Sequence, residues 1–327
     1  MAVVGAGSAA QVVHLPILMR LPGVSVTGLV ETNQVKAETI AERFSIPAIA
    51  GSVGELPEAE ALDAVLVCSP NDAHEPAVLS ALELGAHVLC ERPLATSSAS
   101  AARMLAEAAR RERQLMVAMN QRFRYDLRTI RRFIASGELG DVFFLRSTWL
   151  NRSSRRPRSG WRRDPGRGGC GVLMDLGTQA IDVALWLLGF PRVLRVASRL
   201  HRPDDVDDTA AALFAVEGGP TMSVEVSWEL LDDRDQHGVT VLGTKGSASS
   251  APFRVRTTME TGLADVTPPL ERSGADLYTD SYRQEWAEFL RFVRGEKPMC
   301  LPADQVELLR VVEACYRSAE EGREVEV

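Results

Sequence analysis

Met1-Ala2-Val3-Val4-Gly5-Ala6-Gly7-Ser8-Ala9-Ala10 opens the chain, and in it a short apolar run turns directly into Gly-x-Gly-x-x-Ala. The first glycine permits a tight strand-to-helix turn. The second lets backbone approach a pyrophosphate, and the small Ala10 lets helix and strand pack closely. Phosphate oxygens would then sit on the free N–H groups at the helix N-terminus, which Ser8 and Ala9 begin. Small residues also cluster in ordinary turns, so the residues beyond the loop decide between the two. Only four residues precede Gly5, which is short for a strand that should lie mid-sheet.

Outward from this loop, residues 1–120 alternate strand and helix. Strands are expected at Met1–Val4, Val24–Val30, Ala64–Cys68, His87–Cys90 and Leu115–Met119. Helices are expected at Gln11–Arg20, Lys36–Phe44, Glu75–Leu84 and Ser98–Arg111. Such alternation demands a parallel sheet with right-handed crossovers. After Asn120 the character changes. In the run 221–228, Met222, Val224, Val226 and Trp228 alternate with polar residues, a period of two that marks a sheet with one wet face, typically antiparallel. Further strands are expected at 142–150, 193–200, 209–217 and 239–242, and helices near 278–294 and 303–321. The expected α/β fold is an N-terminal Rossmann domain plus a C-terminal α/β domain with an open, mainly antiparallel sheet. The boundaries are 1–120, 121–302 for a substrate and oligomerisation domain, and a 303–327 helix packing back on the first domain.

At 327 residues two domains are the default. A net charge of −7 argues against nucleic acid and anionic membranes as partners. No apolar run approaches the ~20 residues that span a bilayer, and no charged-then-apolar signal segment opens the chain. The five cysteines (Cys68, Cys90, Cys170, Cys300, Cys315) are dispersed, which reads as free thiols in a reducing cytoplasm. No His/Cys/Asp cluster has metal-ligand spacing, so no metal is expected. Only Lys36, Lys245 and Lys297 are lysines; the other basic residues are arginines.

Glu31 ends the second strand, 24 residues after Gly7. A carboxylate there can accept from both adenosine ribose hydroxyls and repels the 2′-phosphate of NADP. The next residues, Thr32-Asn33-Gln34, include no arginine, which favours NAD over NADP. The alternative is a solvated Glu at a strand end.

The stretch Ala64-Val-Leu-Val-Cys-Ser-Pro-Asn-Asp-Ala-His74 and Glu91-Arg92-Pro93-Leu94 resembles the glucose–fructose oxidoreductase / inositol dehydrogenase / rhizopine-catabolism family (Gfo/Idh/MocA). That family carries a Pro-Asn-x-x-His segment and a Glu-Lys-Pro signature. Asn120-Gln121-Arg122-Phe123, Gly169–Gly177, Asp182…Gly189 and Tyr282…Phe289…Arg294-Gly295 extend the resemblance over nearly the whole chain. It implies NAD(P)-linked oxidation or reduction at a sugar or polyol carbon. It implies that Ser69, Pro70, Asn71, His74, Glu91, Arg92 and Asn120 join Gly5, Gly7, Ser8, Ala9, Ala10 and Glu31 around the cofactor. It also implies a homodimer or homotetramer formed through the sheet's outer face. For Asn71 and His74 a local turn is the plainer alternative.

Hydride transfer from a carbinol needs a group to take the hydroxyl proton. In the family a lysine in Glu-Lys-Pro and a histidine in Asp-x-Gly-x-His share that work; here Arg92 and Gln179 stand in those positions. Arginine stays protonated and glutamine does not titrate. Asp175 remains, and on one helix Asp175, Gln179 and Asp182 would share a face, although a helix-start Asp can also simply cap. Three mechanisms stand open. Asp175 or a water it orients moves the proton while Arg92 polarises the carbonyl oxygen. Or Tyr282 supplies the proton. Or the chain binds dinucleotide without turnover, as a sensor or subunit. Arg122, Trp161, Arg162 and Tyr282 complete the substrate candidates. Eight arginines lie between 146 and 167 (146, 152, 155, 156, 158, 162, 163, 167). They suit an anionic, sugar-like substrate, a solvated, mobile loop, or a subunit contact matching the acidic Asp204–Asp208; Arg162, beside Trp161, is the substrate candidate among them.

Overall fold

A computed structural model describes residues 1–153, 161–164, 171–260, 262–270 and 274–327. Arg155, Arg156, Arg158, Arg167 and Cys170 therefore lie outside the described residues. The chain divides into two compact units, residues 1–120 with 282–306 and residues 121–281 with 307–327.

The first unit is a six-stranded, all-parallel sheet in the order β3-β2-β1-β4-β5-β6. Its strands are β1 (Ala2–Val4), β2 (Gly28–Val30), β3 (Ala48–Ala50), β4 (Ala64–Val67), β5 (His87–Cys90) and β6 (Leu115–Val117). β1 is short, yet it lies centrally: Val3 pairs with Leu29 on one side and Leu66 on the other, and all three are fully buried. The helices are α1 (Leu15–Leu18), α2 (Gln34–Phe44), α3 (His74–Glu83) and α4 (Ser98–Arg110). α1 is preceded by a π-turn, Ala10–His14, closed by the Leu15 N–H on the Ala10 carbonyl. Pro16 lies just beyond and cannot donate, and its ring crowds the turn before it. A wider turn there relieves that crowding. β3 escapes the sequence reading because it is an edge strand whose three residues, Ala48-Ile49-Ala50, are all half-buried, so no continuous buried run marks it.

In the second unit a nine-stranded sheet has the order β14-β13-β12-β11-β7-β10-β9-β8-β15. Its strands are β7 (Val142–Arg152), β8 (Val193–His201), β9 (Thr209–Val216), β10 (Thr221–Leu230), β11 (Gln236–Gly243), β12 (Gly246–Ser250), β13 (Phe253–Met259), β14 (Gly262–Asp265) and β15 (Val325–Glu326). All pairings are antiparallel except β7 with β10. The expected alternation is seen in β9, where Ala210, Ala212, Phe214 and Val216 are buried while Ala211 and Leu213 are exposed. α5 (Tyr125–Ala135) and α6 (Thr178–Leu187) belong to this unit, and every residue of α6 is buried.

The C-terminus departs from the expected boundary. α7 (Gly274–Val293) supplies Trp286 and Phe289 to the core of the first unit. α8 (Ala303–Glu321) belongs, from Glu307 onward, to the second unit. The reason is specific. β15 pairs with β8, the Ser198 N–H donates to Ser318 Oγ at 2.9 Å, and Tyr316 Oη donates to Asp207 Oδ1 at 3.2 Å. Among the described residues no helix is long and apolar enough to cross a membrane.

Candidate active site

The glycine loop is built as its sequence demands. Gly5 has φ +89°, and a Cβ there would lie 2.7 Å from Ser69 N and 2.8 Å from the Cys68 carbonyl. The left-handed backbone and the close crossing of the β4 loop both require glycine. At Gly7 a Cβ would meet only the Cys68 oxygen, at 3.8 Å, so this position opens onto free space where another molecule's atoms can approach. Ser69 Oγ is buried without a hydrogen-bond partner, a hydroxyl for a bound polar group to satisfy. These features fit a dinucleotide phosphate, with Ser8, Ala9 and Ala10 opening the helix.

Glu31, at the end of β2, is tied into the same loop. Its Oε2 accepts from Ala6 N at 3.0 Å and Lys36 Nζ at 2.7 Å, and its Oε1 accepts from Asn33 N at 3.1 Å. Burial works to raise this carboxyl's pKa; the Lys36, Asn33 and Ala6 donors outweigh it and hold the value below the ordinary one.

After β4 come Ser69, Pro70 and Asn71, the last 6% exposed, and then His74 in the first turn of α3. His74 Nδ1 lies 2.8 Å from the Pro93 carbonyl and Nε2 3.0 Å from the Ser69 carbonyl. The ring thus ties the loop after β4 to the loop after β5. Burial lowers its pKa and prevails over the carbonyls, which favour the charged form. The neutral ring donates through one nitrogen at a time.

Glu91 and Arg92 follow β5. Glu91 Oε2 accepts the Arg92 N–H at 3.1 Å, and Oε1 meets His14 Nε2 at 2.8 Å. The Trp286 indole donates to His14 Nδ1 at 3.0 Å. An indole N–H can only donate, so Nδ1 is the acceptor and Nε2 carries the proton given to Glu91. Burial would raise the Glu91 carboxyl; His14 and Arg92 together hold it low. His14 and Trp286 are fully buried, and Tyr282 meets the imidazole edge-on at 5.5 Å between centroids. Neither His14 nor Trp286 is singled out by the sequence reading. The one signal in the sequence is a lone histidine in the apolar run Val12-Val13-His14-Leu15, which must find a polar partner when buried. Tyr282, a substrate candidate, is 9% exposed and belongs to this core cluster. His14, Cys68 and Glu91 also bring donor atoms within 4.8 Å of one another. The His14–Glu91 hydrogen bond occupies that space. Burial first, then the Glu91 charge, pushes the Cys68 thiol well up, so it is a protonated and poor metal ligand. Asn120, 1% exposed, closes the unit.

In the second unit Asp175 sits in another π-turn, Leu173–Gly177, closed by Thr178 N on the Leu173 carbonyl. Arg162 Nε approaches Asp175 Oδ1 at 3.6 Å, and its guanidinium lies 4.5 Å from the Trp161 ring centroid. Gln179 is 3% exposed in the first turn of α6. Arg122 is committed to a two-bond pair with the buried Asp182, at 2.9 and 2.5 Å. Asp207 anchors the Asp175 turn: its Oδ2 accepts from Leu173 N at 2.7 Å and its carbonyl from Val172 N at 2.8 Å. Burial raises the Asp207 carboxyl against these donors. Asp207, inside the acidic run Asp204–Asp208, is 1% exposed. Of the arginines beside that run, Arg163 pairs with Glu229 at 3.0 Å and reaches Asp204 at 4.0 Å.

Comparison with known proteins agrees with the fold. Residues 1–119 match "Oxidoreductase family, NAD-binding Rossmann fold" and residues 127–249 match "GFO/IDH/MocA C-terminal domain". D-xylose 1-dehydrogenase (NADP(+)) 2 of Haloferax volcanii is 32% identical over 90% of this chain and 90% of its own length. D-glucoside 3-dehydrogenase of Escherichia coli is 27% identical, covering the whole chain and 97% of its own. The crystal structure of GenD2 from gentamicin A biosynthesis, in complex with NAD, superposes with a TM-score of 0.85 at 26% identity. The match covers all of this chain and 95% of that one.

Proposed function

The chain belongs to the Gfo/Idh/MocA family of NAD-binding oxidoreductases, and on that premise we propose that it moves hydride between nicotinamide and a hydroxyl or keto carbon of a sugar, polyol or sugar derivative. The observation that carries the reading is the glycine loop joined to Glu31 and to the buried, unsatisfied Ser69 hydroxyl. NAD supplies the hydride acceptor; the chain's residues bind, orient and manage the proton. Arg92, in the position the family gives to lysine, acts as a fixed positive charge that polarises the reacting oxygen. Its backbone N–H is held by Glu91. Asp175, or a water it orients, takes the hydroxyl proton, with Gln179 as a hydrogen-bonding neighbour on the substrate. Arg162, drawn toward Asp175 and backed by Trp161, suits a substrate bearing an anionic group.

The exposed Leu213 and the small Ala211 and Ala197 on the outer face of the nine-stranded sheet support self-association into a dimer or tetramer. The described cysteines are all free, in keeping with a reducing cytoplasm. The test is NAD reduction across neutral, acidic and nucleotide-linked sugars, with Arg92→Lys alone and with Gln179→His. Turnover by the parent on at least one sugar, rising in the double variant, is expected. NADH binding with no consumption of any sugar by parent or variant would return the chain to a sensor or subunit role.

A further inference from the structure

Lys36 stands out in a chain that otherwise uses arginine almost throughout. Asn33 caps α2, its Oδ1 accepting the Lys36 N–H at 3.0 Å, and this fixes Lys36 in the first turn. From there the ammonium reaches back to Glu31 Oε2, at 2.7 Å. Thr32-Asn33-Gln34 offers no cation next to Glu31 in sequence; the helix turn supplies one from five residues on.

A carboxylate has about four acceptor sites. On Glu31, Oε2 already receives Ala6 N and Lys36 Nζ. Oε1 receives Asn33 N, with Thr32 Oγ1 at 3.5 Å. A ribose diol brings two more donors and cannot be received in full until two of these four leave. The backbone donors are fixed, whereas the Thr32 hydroxyl can rotate away and the Lys36 side chain is 39% exposed and free to turn outward. Lys36 also neutralises the charge by which Glu31 would repel a phosphate on the ribose.

We propose that Lys36 sets cofactor selectivity, its ammonium pairing the 2′-phosphate of NADP, so that this site accepts NADP(H) as well as NAD(H). With NAD the ribose hydroxyls displace Lys36 from Glu31. With NADP the ammonium stays between the carboxylate and the phosphate.

The test is equilibrium titration of the full-length protein with NADH and with NADPH, read by cofactor fluorescence, for the parent, Lys36→Met and Lys36→Arg. The parent should bind NADPH within about tenfold of NADH, because charge-assisted bonds to Lys36 replace the lost ribose contacts. Lys36→Met should weaken NADPH by about tenfold or more while NADH changes far less, and Lys36→Arg should keep NADPH binding. Raising salt should weaken NADPH in the parent more than in Lys36→Met. Equal loss of both cofactors in Lys36→Met, or NADPH affinity that ignores Lys36, overturns the assignment. Loss of NADH binding in the parent would instead strike at the dinucleotide site as a whole.

Discussion

Replacing His14 with leucine should be among the most damaging single changes in the first unit, and replacing it with glutamine among the best tolerated. His14 receives the Trp286 indole N–H on one nitrogen and gives a proton to Glu91 from the other, over 3.0 and 2.8 Å. Leucine fills similar space but does neither. The Trp286 N–H, on a fully buried side chain, would lose its acceptor at a cost of about 1–3 kcal/mol. Glu91 would lose a charge-assisted bond worth about 1.5–3 kcal/mol. Together the two losses come to about 2.5–6 kcal/mol. Glutamine carries a carbonyl for the indole and an N–H for the carboxylate on one flexible arm, so His14→Gln should stay within about 1.5 kcal/mol of the parent. With two compact units a single unfolding free energy is poorly defined. The quantity to measure is therefore amide exchange by mass spectrometry, in peptides from residues 1–120. Equal protection in the leucine and glutamine variants would refute the hydrogen-bond reasoning and leave His14 a space-filler.

Two further outcomes concern buried acids and bases. His74 has its pKa lowered in the fold, while the unfolded ring titrates near 6.5. Its contribution is therefore complete above about pH 6.5 and drains away as pH falls toward the folded value, at up to about 1.4 kcal/mol per pH unit. Urea midpoints read from exchange-labelled peptides of residues 1–120, between about pH 7.5 and 5.5, should slope less in His74→Gln than in the parent; equal slopes would assign the effect elsewhere. For Asp207, alanine should cost about 1–3 kcal/mol by stranding the Leu173 N–H. Asparagine, which keeps one acceptor, should cost less, and protease sensitivity around the Asp175 turn should run in the same order.

Alternation of apolar runs with helical segments makes the parallel sheet readable, because buried parallel strands such as Ala64–Val67 are short and continuous. The β9 and β10 faces are readable for the opposite reason: one side is wet. β12 to β14 leave no such mark. Gly246-Ser-Ala-Ser-Ser250 has only Ala248 buried, so pairing with its neighbours, not burial, makes it a strand. At the candidate site the local parts are legible: the glycines, Glu31, and the turn at Ser69–Asn71. Hidden from the sequence are partners distant along the chain. Trp286 meets His14 across 272 positions and Asp207 meets Leu173 across 34, and no local pattern announces either. Lys36 lies in between, close in sequence but brought to Glu31 only by the capped turn of α2.

The two π-turns can be read as counting devices. A π-turn is a helix holding one residue more than its α-helical track needs, so removing one residue restores ordinary helix instead of breaking it. Deleting Val12 would thus leave a sound helix with the glycine loop and α1 still in phase, because the π-turn absorbs its surplus residue locally. A deletion at Met174 would likewise keep α6 on its track while redrawing the turn that presents Asp175. The surplus residue in each turn therefore sets the local shape at one point of the chain and leaves the flanking helix where it was, and its loss would show as a folded protein in which only the side chains of that turn are re-aimed.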